Sequence, residues 1–282
     1  MTAPARDLPG GLLGAIAASV RTSLESRRAR VPIEALARAA EARTPGGTRF
    51  REAIAREGRI NIIAECKRRS PARGVLARPY APGAIARIYE RAGAAAVSVI
   101  TEPTFFDGAI EHLEEVRAVT SLPVLRKDFV LDEYQLYEAR AAGADAILLI
   151  VAMLGEGALR GLARRARALG LAALVEVHSS EEMAAASGAG ADIIGVNSRD
   201  LRTLEVDVGV CDALAREAPA GCVMVAESGI RNHGDIDRLA ASGYRAFLIG
   251  EHLMTASDPG AALAELTRAA AARVPGPSGG EA

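Results

Sequence analysis

The sequence predicts an α/β fold, a single (β/α)8 TIM barrel with an N-terminal helical extension. Two observations carry this prediction: eight short apolar runs recur along the chain, and glycine follows most of the helical stretches between them. Short apolar runs are typical of strands buried on both faces, and such strands need parallel neighbours covered by helices. Eight units of this kind close into a barrel, which commonly occupies about 250 residues as one domain.

The elements that precede the barrel lie outside its eightfold pattern. Helical periodicity covers Leu12–Arg30, Ile33–Ala42 and Phe50–Arg56. The sequence leaves open whether this extension plugs the barrel floor or folds over the active-site mouth. The expected division of the 282 residues is an extension over 1–59, a barrel over 60–273 and a disordered tail over 274–282.

The predicted strands also locate the chemistry, because most of the apolar runs end in a polar or charged residue. In a barrel of this type, the carboxyl ends of the strands meet at the face that carries the active site. The sequence therefore places its polar groups at that face. The runs are Ile62–Ala64, Val97–Ile100, Val124–Leu125, Ile147–Val151, Ala173–Val175, Ile193–Val196, Val223–Ala226 and Ala246–Ile249.

Glycines mark the connections from helix to strand. Glycine just past a helix end adopts the left-handed conformation that closes the last turn and redirects the chain. These connections lie on the barrel face opposite the active site, so we expect them to serve stability. They contain Gly93, Gly143, Gly170, Gly190 and Gly243.

Composition excludes several classes of function. The formal net charge of -1 gives no basic field for nucleic acid, and the Arg clusters at Arg27–Arg30 and Arg164–Arg167 are typical of solvated helix faces. The cysteines lack CxxC spacing, which argues against disulfides and zinc. No signal pattern or long apolar segment occurs, so we expect a cytoplasmic protein without membrane contact, as a monomer or weak homo-oligomer.

Strand parity predicts which side chains share the barrel mouth. Side chains alternate along a strand, so Glu65 and Lys67 face the same way and Cys66 packs under the helices. A carboxylate and an ammonium group at one strand end could be only a structural ion pair. Polar groups from four other strands converge on the same rim, which favours an active site. These groups are Lys127, Glu176, Asn197, Arg199, Glu227 and Ser228.

Two glycines predict a phosphate site. Gly229 and Gly250 follow the seventh and eighth strands, whose loops often bind phosphate through backbone N–H groups in these barrels. Phe106 and Phe129 could form an apolar wall for a planar ring, although ordinary loop packing is a competing explanation. His178 is expected to shape the mouth without reacting.

Several segments together closely resemble the indole-3-glycerol-phosphate synthase family over nearly the whole chain, from about Leu12 to Ala270. The resemblance implies a phosphorylated small-molecule substrate, 1-(2-carboxyphenylamino)-1-deoxyribulose 5-phosphate, closed to an indole with loss of CO2 and water. It implies no metal and no organic cofactor. The segments are VPIEAL from Val31, IIAECKRRSP from Ile62, TEPTFFDG from Thr101, LPVLRKDF from Leu122, LLIVAML from Leu148, LVEVHS from Leu174, IGVNSRDL from Ile194, AESGI from Ala226 and AFLIGEHLM from Ala246.

The same resemblance implies roles for individual residues. Lys127 would be the general acid of ring closure, Lys67 would hold the substrate's carboxylate, and Glu176 would act in the dehydration. The Glu251 side chain is expected to point away from the phosphate, which it would repel. The other implied site residues are Glu65 and Asn197 around the ring and hydroxyls, Ser70 and Arg199 in the polar lining, Phe106, Phe129, Leu148 and Leu201 around the aromatic ring, and Ser228, Gly229, Gly250 and the Glu251 backbone at the phosphate.

Other functions remain open at this stage. Phosphoribosylanthranilate isomerase and the tryptophan synthase α-subunit are barrel enzymes that bind phosphate, but the paired Lys67 and Lys127 with Glu176 do not resemble their motifs. A non-catalytic or altered-specificity phosphate-binding barrel is the alternative from a different class. The pKa of Lys127 is also open, because a neighbouring cation would lower it and the carboxylates Glu65 and Glu176 would raise it.

Overall fold

A computed structural model describes residues 11–199, 206–207 and 209–268. Eight of its strands are parallel and close into a barrel, which confirms the predicted (β/α)8 TIM fold. These strands are β1 (Asn61–Cys66), β4 (Ala96–Ile100), β5 (Val124–Lys127), β6 (Ala146–Ile150), β7 (Ala172–Val177), β8 (Ile193–Asn197), β9 (Val223–Glu227) and β10 (Ala246–Ile249). A small antiparallel hairpin of β2 (Arg69–Ser70) and β3 (Gly74–Val75) follows the first strand.

Helices precede, connect and surround the strands. In the extension these are α1 (Gly11–Arg30), α2 (Ile33–Glu41) and α3 (Gly47–Ile54). Around the barrel they are α4 (Pro82–Arg91), α5 (Pro103–Phe106), α6 (Ile110–Val119), α7 (Glu133–Ala142), α8 (Glu156–Ala168), α9 (Ser180–Gly188), α10 (Gly209–Ala215), α11 (His233–Ala241), α12 (Glu251–Thr255) and α13 (Pro259–Arg268). The predicted tail over 274–282 lies outside the described residues, and the domain division stays a prediction.

Strand parity sorts the core into two layers. On β1, Ile62 and Cys66 belong to the apolar layer between barrel and helices, whereas Ile63 belongs to the cluster inside the barrel. The Sγ of Cys66 contacts a carbonyl oxygen of α4, at Pro82, as expected for a side chain under the helices. The alternation predicted from the sequence is therefore the alternation in the fold, and it leaves Glu65 directed at the barrel interior.

The extension closes both ends of the barrel, so each of the two alternatives is partly right. At the floor, Phe50 and Ile54 of α3 are fully buried in the interior cluster, and the Gly47 N–H donates to the Gly170 carbonyl at 3.0 Å, just before β7. At the mouth, Leu12 and Ile16 of α1 line the cavity above the strand ends. Two helices of the extension therefore cover apolar surface at opposite ends of the barrel, α3 at the floor and α1 at the mouth.

The glycines that were predicted to end helices have positive φ at all five positions, Gly93, Gly143, Gly170, Gly190 and Gly243. Gly143 illustrates the geometry: it is the C-cap of α7 with φ 94°, and its N–H bonds back to the helix. A side chain would be strained in this conformation. Within the described residues, none of the helices combines the length and the apolar character that crossing a bilayer requires.

Candidate active site

A cavity of about 600 Å³ opens at the carboxyl ends of the barrel strands. Every predicted site residue lines it except Leu201, which lies outside the described residues. The predicted residues that line it are Glu65, Lys67, Ser70, Phe106, Lys127, Phe129, Leu148, Glu176, Asn197, Arg199, Ser228, Gly229, Gly250 and Glu251. Polar groups from β1, β5, β7, β8 and β9 therefore share one cavity, as the strand ends predicted.

Lys127, the last residue of β5, lies between two buried carboxylates. Its Nζ donates to Oε2 of Glu176 at 3.1 Å and lies 3.2 Å from Oε2 of Glu227. The two carboxylate side chains are 0 % and 2 % exposed, and the lysine side chain is 16 % exposed. Lys127 is therefore the most exposed member of this cluster, and its ammonium group can offer a proton to a molecule in the cavity.

A second ion pair lies at the end of β1. The Nζ of Lys67 is 2.9 Å from Oε1 of Glu65, whose other oxygen accepts a 3.4 Å hydrogen bond from the hydroxyl of Ser98. Lys67 and Lys127 are the only two lysines in the chain, against 34 basic side chains in total. Both lysines thus line the one cavity.

Around the Glu176 carboxylate, Lys127 is not the sole partner. The Nδ2 of Asn197 donates to Oε1 at 3.2 Å, and the Nε2 of His178 lies 3.5 Å from the same oxygen. Burial raises the pKa of Glu176, but the charges of Lys127 and His178 outweigh burial, so the pKa of this carboxyl lies below its usual range. Glu176 is therefore ionised at neutral pH.

The pKa of Lys127, which the sequence left open, is raised. Burial lowers it, but the carboxylates of Glu176, Glu227 and Glu65 outweigh burial and hold the proton firmly. Lys127 is accordingly a cation at every physiological pH. It is a ready proton source and, because its proton is held so tightly, a weak acid.

Sequence reasoning brought Glu227 to the rim but gave it no role. In the structure, burial and the neighbouring charge of Glu176 raise its pKa to about 8, so it carries a proton at neutral pH. Its Oε1 has no hydrogen-bond partner, and it fits only because position 195 is glycine, where a Cβ would lie 2.1 Å away. The available signal was its position at the end of β9, with the same inward parity as the other site carboxylates.

The phosphate-type loops lie at one side of the cavity. Ser228 and Gly229 have consecutive positive φ values of 63° and 73° after β9, and a serine rarely adopts this conformation. This tight turn, with a glycine that lacks a Cβ, lets an anion approach the backbone N–H groups closely. Gly250, at the end of β10, has φ −121° and packs against Glu65, since a Cβ there would lie 2.4 Å from Oε1.

Two arginines neutralise the carboxylate of Glu251, which would otherwise repel a phosphate. Its Oε1 lies 3.0 Å from Nε of Arg73, and its Oε2 lies 3.6 Å from Nη2 of Arg199. Both arginines line the cavity, and Arg73 comes from the hairpin loop between β2 and β3. Sequence reasoning did not single out Arg73, because a basic residue in an exposed loop has no local signal of a partner so distant in sequence.

An apolar wall faces the charged cluster. The rings of Phe106 and Phe129 have centroids 6.0 Å apart at an interplanar angle of 40°. Glu102 fixes the short helix that carries Phe106, because its carboxylate accepts hydrogen bonds from three N–H groups at the start of α5. Leu148 completes this side of the cavity, with Ile16 of α1 above it. The cavity therefore combines an apolar wall with two aromatic rings and a set of charged groups.

Among the described residues, no group of three or more His, Cys, Asp or Glu side chains is arranged to hold a metal ion. The cysteines are free, with Cys66 and Cys211 buried and Cys222 partly so. Burial raises the pKa of the Cys211 and Cys222 thiols to about 11.

Comparison with known proteins gives the cavity a family. A sequence model described as "Indole-3-glycerol phosphate synthase" matches residues 13–266. The chain belongs to this family. A curated indole-3-glycerol phosphate synthase from Mycobacteroides abscessus is 46% identical over 260 residues, which cover 92% of this chain and 95% of the relative. Another from Carboxydothermus hydrogenoformans is 50% identical over 218 residues, covering 76% of this chain and 83% of that relative.

Solved structures of other proteins support the fold independently. A thiamine phosphate pyrophosphorylase from Pyrococcus furiosus superimposes with a TM-score of 0.59 at 19% identity, covering 77% of this chain and 98% of that chain. At this identity the likeness concerns the barrel alone. The synthase family shares the barrel architecture with other enzymes, and the side chains of the cavity carry its chemistry.

Proposed function

We propose that the cavity converts 1-(2-carboxyphenylamino)-1-deoxyribulose 5-phosphate into indole-3-glycerol phosphate, CO2 and water, the reaction of its family. The observation that carries this assignment is the contact of Lys127 with Glu176 and Glu227, at 3.1 Å and 3.2 Å, inside a cavity with one apolar wall. An ammonium group held among buried carboxylates supplies a proton where a carbonyl oxygen gains charge.

Ring closure is the first step. The ring carbon that bears the carboxylate attacks the ribulose carbonyl carbon, and the carbonyl oxygen takes a proton from Nζ of Lys127 and becomes a hydroxyl. The charge of Lys67 holds the substrate's carboxylate, with Glu65 fixing that lysine at 2.9 Å. When the carboxylate leaves as CO2, the electrons of its bond to the ring restore aromaticity.

Dehydration completes the indole. The new hydroxyl takes a proton from Nζ of Lys127, which has regained one from solvent, and leaves as water, while a proton is lost from the neighbouring carbon as the double bond forms. Glu176 is the group that accepts a proton in this step, since its pKa is lowered and it is ionised. Asn197 donates to the Glu176 carboxylate at 3.2 Å and fixes its direction.

Binding groups surround this centre. The N–H groups of Gly229, Gly250 and Glu251, together with Ser228, hold the phosphate, and the positive φ of Ser228 and Gly229 supports this role. Ser70 and Arg199 contribute to the polar lining. The aromatic ring packs on the apolar wall of Phe106, Phe129 and Leu148, with Leu201 as a further candidate from the sequence.

We further propose a cytoplasmic enzyme that has no nucleic-acid or membrane partner and works as a monomer or weak homo-oligomer. The free cysteines and the net charge of -1 support these assignments. A non-catalytic or altered-specificity barrel is not favoured, because burying the Lys127 ammonium group costs desolvation free energy and the barrel fold does not require it.

The test is indole fluorescence on mixing purified protein with substrate in the presence of a chelator, since the chain contains no tryptophan. We expect Lys127→Ala to lower kcat by about 10³-fold or more while substrate still binds, because an acid that acts in the transition state affects rate more than affinity. Arg91→Ala, on the exposed end of α4, is the control. Turnover near the wild-type rate in Lys127→Ala would overturn the assignment.

A further inference from the structure

His178 lies directly behind Glu176 and outside the lining of the cavity. It follows β7, and its backbone N–H donates to Oε2 of Glu182 at 2.7 Å, while its Nδ1 lies 3.2 Å from the same oxygen. Glu182 is itself fixed, because its N–H donates to the hydroxyl of Ser179, the N-cap of α9, at 3.3 Å. The start of α9 therefore holds the imidazole ring in one orientation.

The other ring nitrogen faces the catalytic carboxylate. The Nε2 of His178 lies 3.5 Å from Oε1 of Glu176, is shielded from solvent and has no hydrogen-bond partner. In a neutral imidazole that donates from Nδ1, this nitrogen would present a lone pair to a carboxylate oxygen, which is repulsive. An imidazolium ion presents an N–H to a carboxylate on both sides of the ring.

The surrounding charges agree with this geometry. Burial lowers the pKa of His178, but Glu182 of α9, Glu176 of β7 and Glu227 of β9 outweigh burial and raise it above the ordinary value. Lys127 is the cation on the far side of Glu176, at 3.1 Å from its Oε2. The positive charge of His178 thus has carboxylates facing it and shares one of them with Lys127.

Lys127 holds its proton so firmly that it is a weak acid. A second cation that shares the Glu176 carboxylate changes how tightly this proton is held. We propose that protonated His178, held by Glu182, is a positioning residue that takes up part of the Glu176 charge and so loosens the proton that Lys127 donates. The inference rests on the proposed role of Lys127 as the acid. It goes beyond that role, since it assigns a positive charge that affects proton transfer to His178, a side chain that does not line the cavity.

A pH dependence follows from the sign of the charge. The imidazolium exists below the raised pKa of His178 and disappears as the pH rises through it. Lys127 then faces Glu176 without a competitor and keeps its proton more tightly. We therefore expect kcat to decline on the alkaline side of neutrality, in a range where Lys127 itself is still fully protonated. Glu227, whose pKa is about 8, loses its proton in the same range and also tightens the Lys127 proton, so the contribution of His178 is the part of the decline that a permanent cation at position 178 removes.

The first test measures the charge without using activity. The chain has four histidines, so ¹³C-histidine labelling gives four signals. The signal that disappears in His178→Asn belongs to position 178. We expect this signal to titrate above about 6.5, the ordinary value for an imidazole. Glu182→Gln should lower its midpoint, whereas Glu181→Gln, an exposed neighbour on the same helix turn, should leave it unchanged. A midpoint below 6.5, or one that Glu182→Gln does not move, overturns the proposal.

The second test measures turnover. His178→Asn should lower kcat by about tenfold with KM unchanged, because a lost charge contact of this kind changes a neighbour's pKa by roughly one unit. His178→Lys should restore most of kcat and reduce the alkaline decline to the part that Glu227 causes, whereas a purely structural histidine would predict neither effect. Equal rates for His178→Asn and wild type, or no recovery in His178→Lys, overturn the proposal. Absence of turnover in the wild type would instead refute the proposed reaction, while the titration still tests the ion pairs.

Discussion

Gly250 leaves room for the carboxylate of Glu65 at the edge of the cavity. A Cβ at position 250 would lie 2.4 Å from Oε1 of Glu65, the atom that fixes Lys67 at 2.9 Å. We expect Gly250→Ala to displace Glu65 and lower kcat/KM by at least about tenfold, since small misplacements of reacting groups are costly. The measurement is steady-state turnover.

The matched control for this change is Gly161→Ala on α8. A Cβ at position 161 meets nothing within 4 Å, so alanine there should leave kcat/KM unchanged and add a little helix stability. Equal activity in Gly250→Ala and Gly161→Ala would show that the Glu65 carboxylate tolerates displacement.

Glu227 makes stability depend on pH. Its pKa is about 8 in the folded protein against an ordinary 4.5, so folding binds a proton between these values and stability falls as the pH rises through that window. Glu227→Gln removes this penalty. We expect the Tm of Glu227→Gln minus that of wild type to grow between pH 5 and pH 9, measured by thermal unfolding. Glu114→Gln, an exposed glutamate on α6, should give a constant difference, and a constant difference for Glu227→Gln would contradict the raised pKa.

The sequence predicted which side chains share the cavity but not the electrostatics among them. Strand parity suffices to bring Glu65, Lys127 and Glu176 to one rim, because the alternation of side chains is a local property. The balance of charges is not local: the raised pKa of Lys127 results from carboxylates on three other strands at distances fixed only by barrel closure. The position of the His178 ring likewise depends on a glutamate of the following helix.

Among the elements, the extension has two separate tasks. Phe50 of α3 is fully buried at the floor, and Leu12 of α1 lines the cavity at the mouth. We expect Phe50→Ala to lower the free energy of unfolding by about 3–5 kcal/mol without changing KM at a temperature where the variant is folded. Leu12→Ala should do the reverse and raise KM at a small cost in stability. Chemical denaturation and steady-state kinetics on both variants check this, and a raised KM in Phe50→Ala would contradict the separation.

Helices and strands were predicted well where the sequence pattern is periodic. The predicted Leu12–Arg30 and Ile33–Ala42 agree with α1 and α2 to within one residue at each end. The third helix was placed at Phe50–Arg56 and is found at Gly47–Ile54. It begins earlier because its first residue packs against the chain before β7, a contact that periodicity does not report.

Strand β5 extends beyond its apolar run. The run covers Val124–Leu125, and the strand continues through Arg126, which is almost fully buried under the helices, to Lys127, the polar residue expected at its end. The guanidinium is paired with Asp128 at 2.8 Å and Glu138 at 2.7 Å, so a charge occupies a core position at the cost of two further buried charges. Arginine gave no sequence signal of this arrangement because its partners come from the following loop and from α7.

For the whole molecule, the exposed surface predicts the state of association. Within the described residues, the exposed large apolar side chains are Val31, Val75, Ile88 and Val206, which are separated in the sequence and share no helix or strand. Stable interfaces need apolar surface that is contiguous. We expect sedimentation velocity at micromolar concentration to give a monomer, and a stable dimer would contradict this prediction.

The architecture itself was predictable because the barrel repeats one local rule eight times. Each unit signals a buried strand, five of the units also have a terminating glycine, and closure follows from the number of units. Which end of the barrel the extension would cover was not predictable, since an apolar helix face does not specify its partner. The answer, that α1 and α3 cover opposite ends, depends on the path of the chain between them.

The confinement of both lysines to one cavity has a practical consequence. Apart from the α-amino group, the primary amines of the chain all lie among the charged groups of this cavity, while arginines supply the remaining Lys and Arg positions. Lysine isotope labelling therefore addresses this cavity alone, and amine-selective chemistry addresses this cavity and the α-amino group. A spectrum of ¹³C-lysine protein would contain two lysine resonances, from Lys67 and Lys127, and none from the surface. Changes in these resonances would therefore report directly on this cavity.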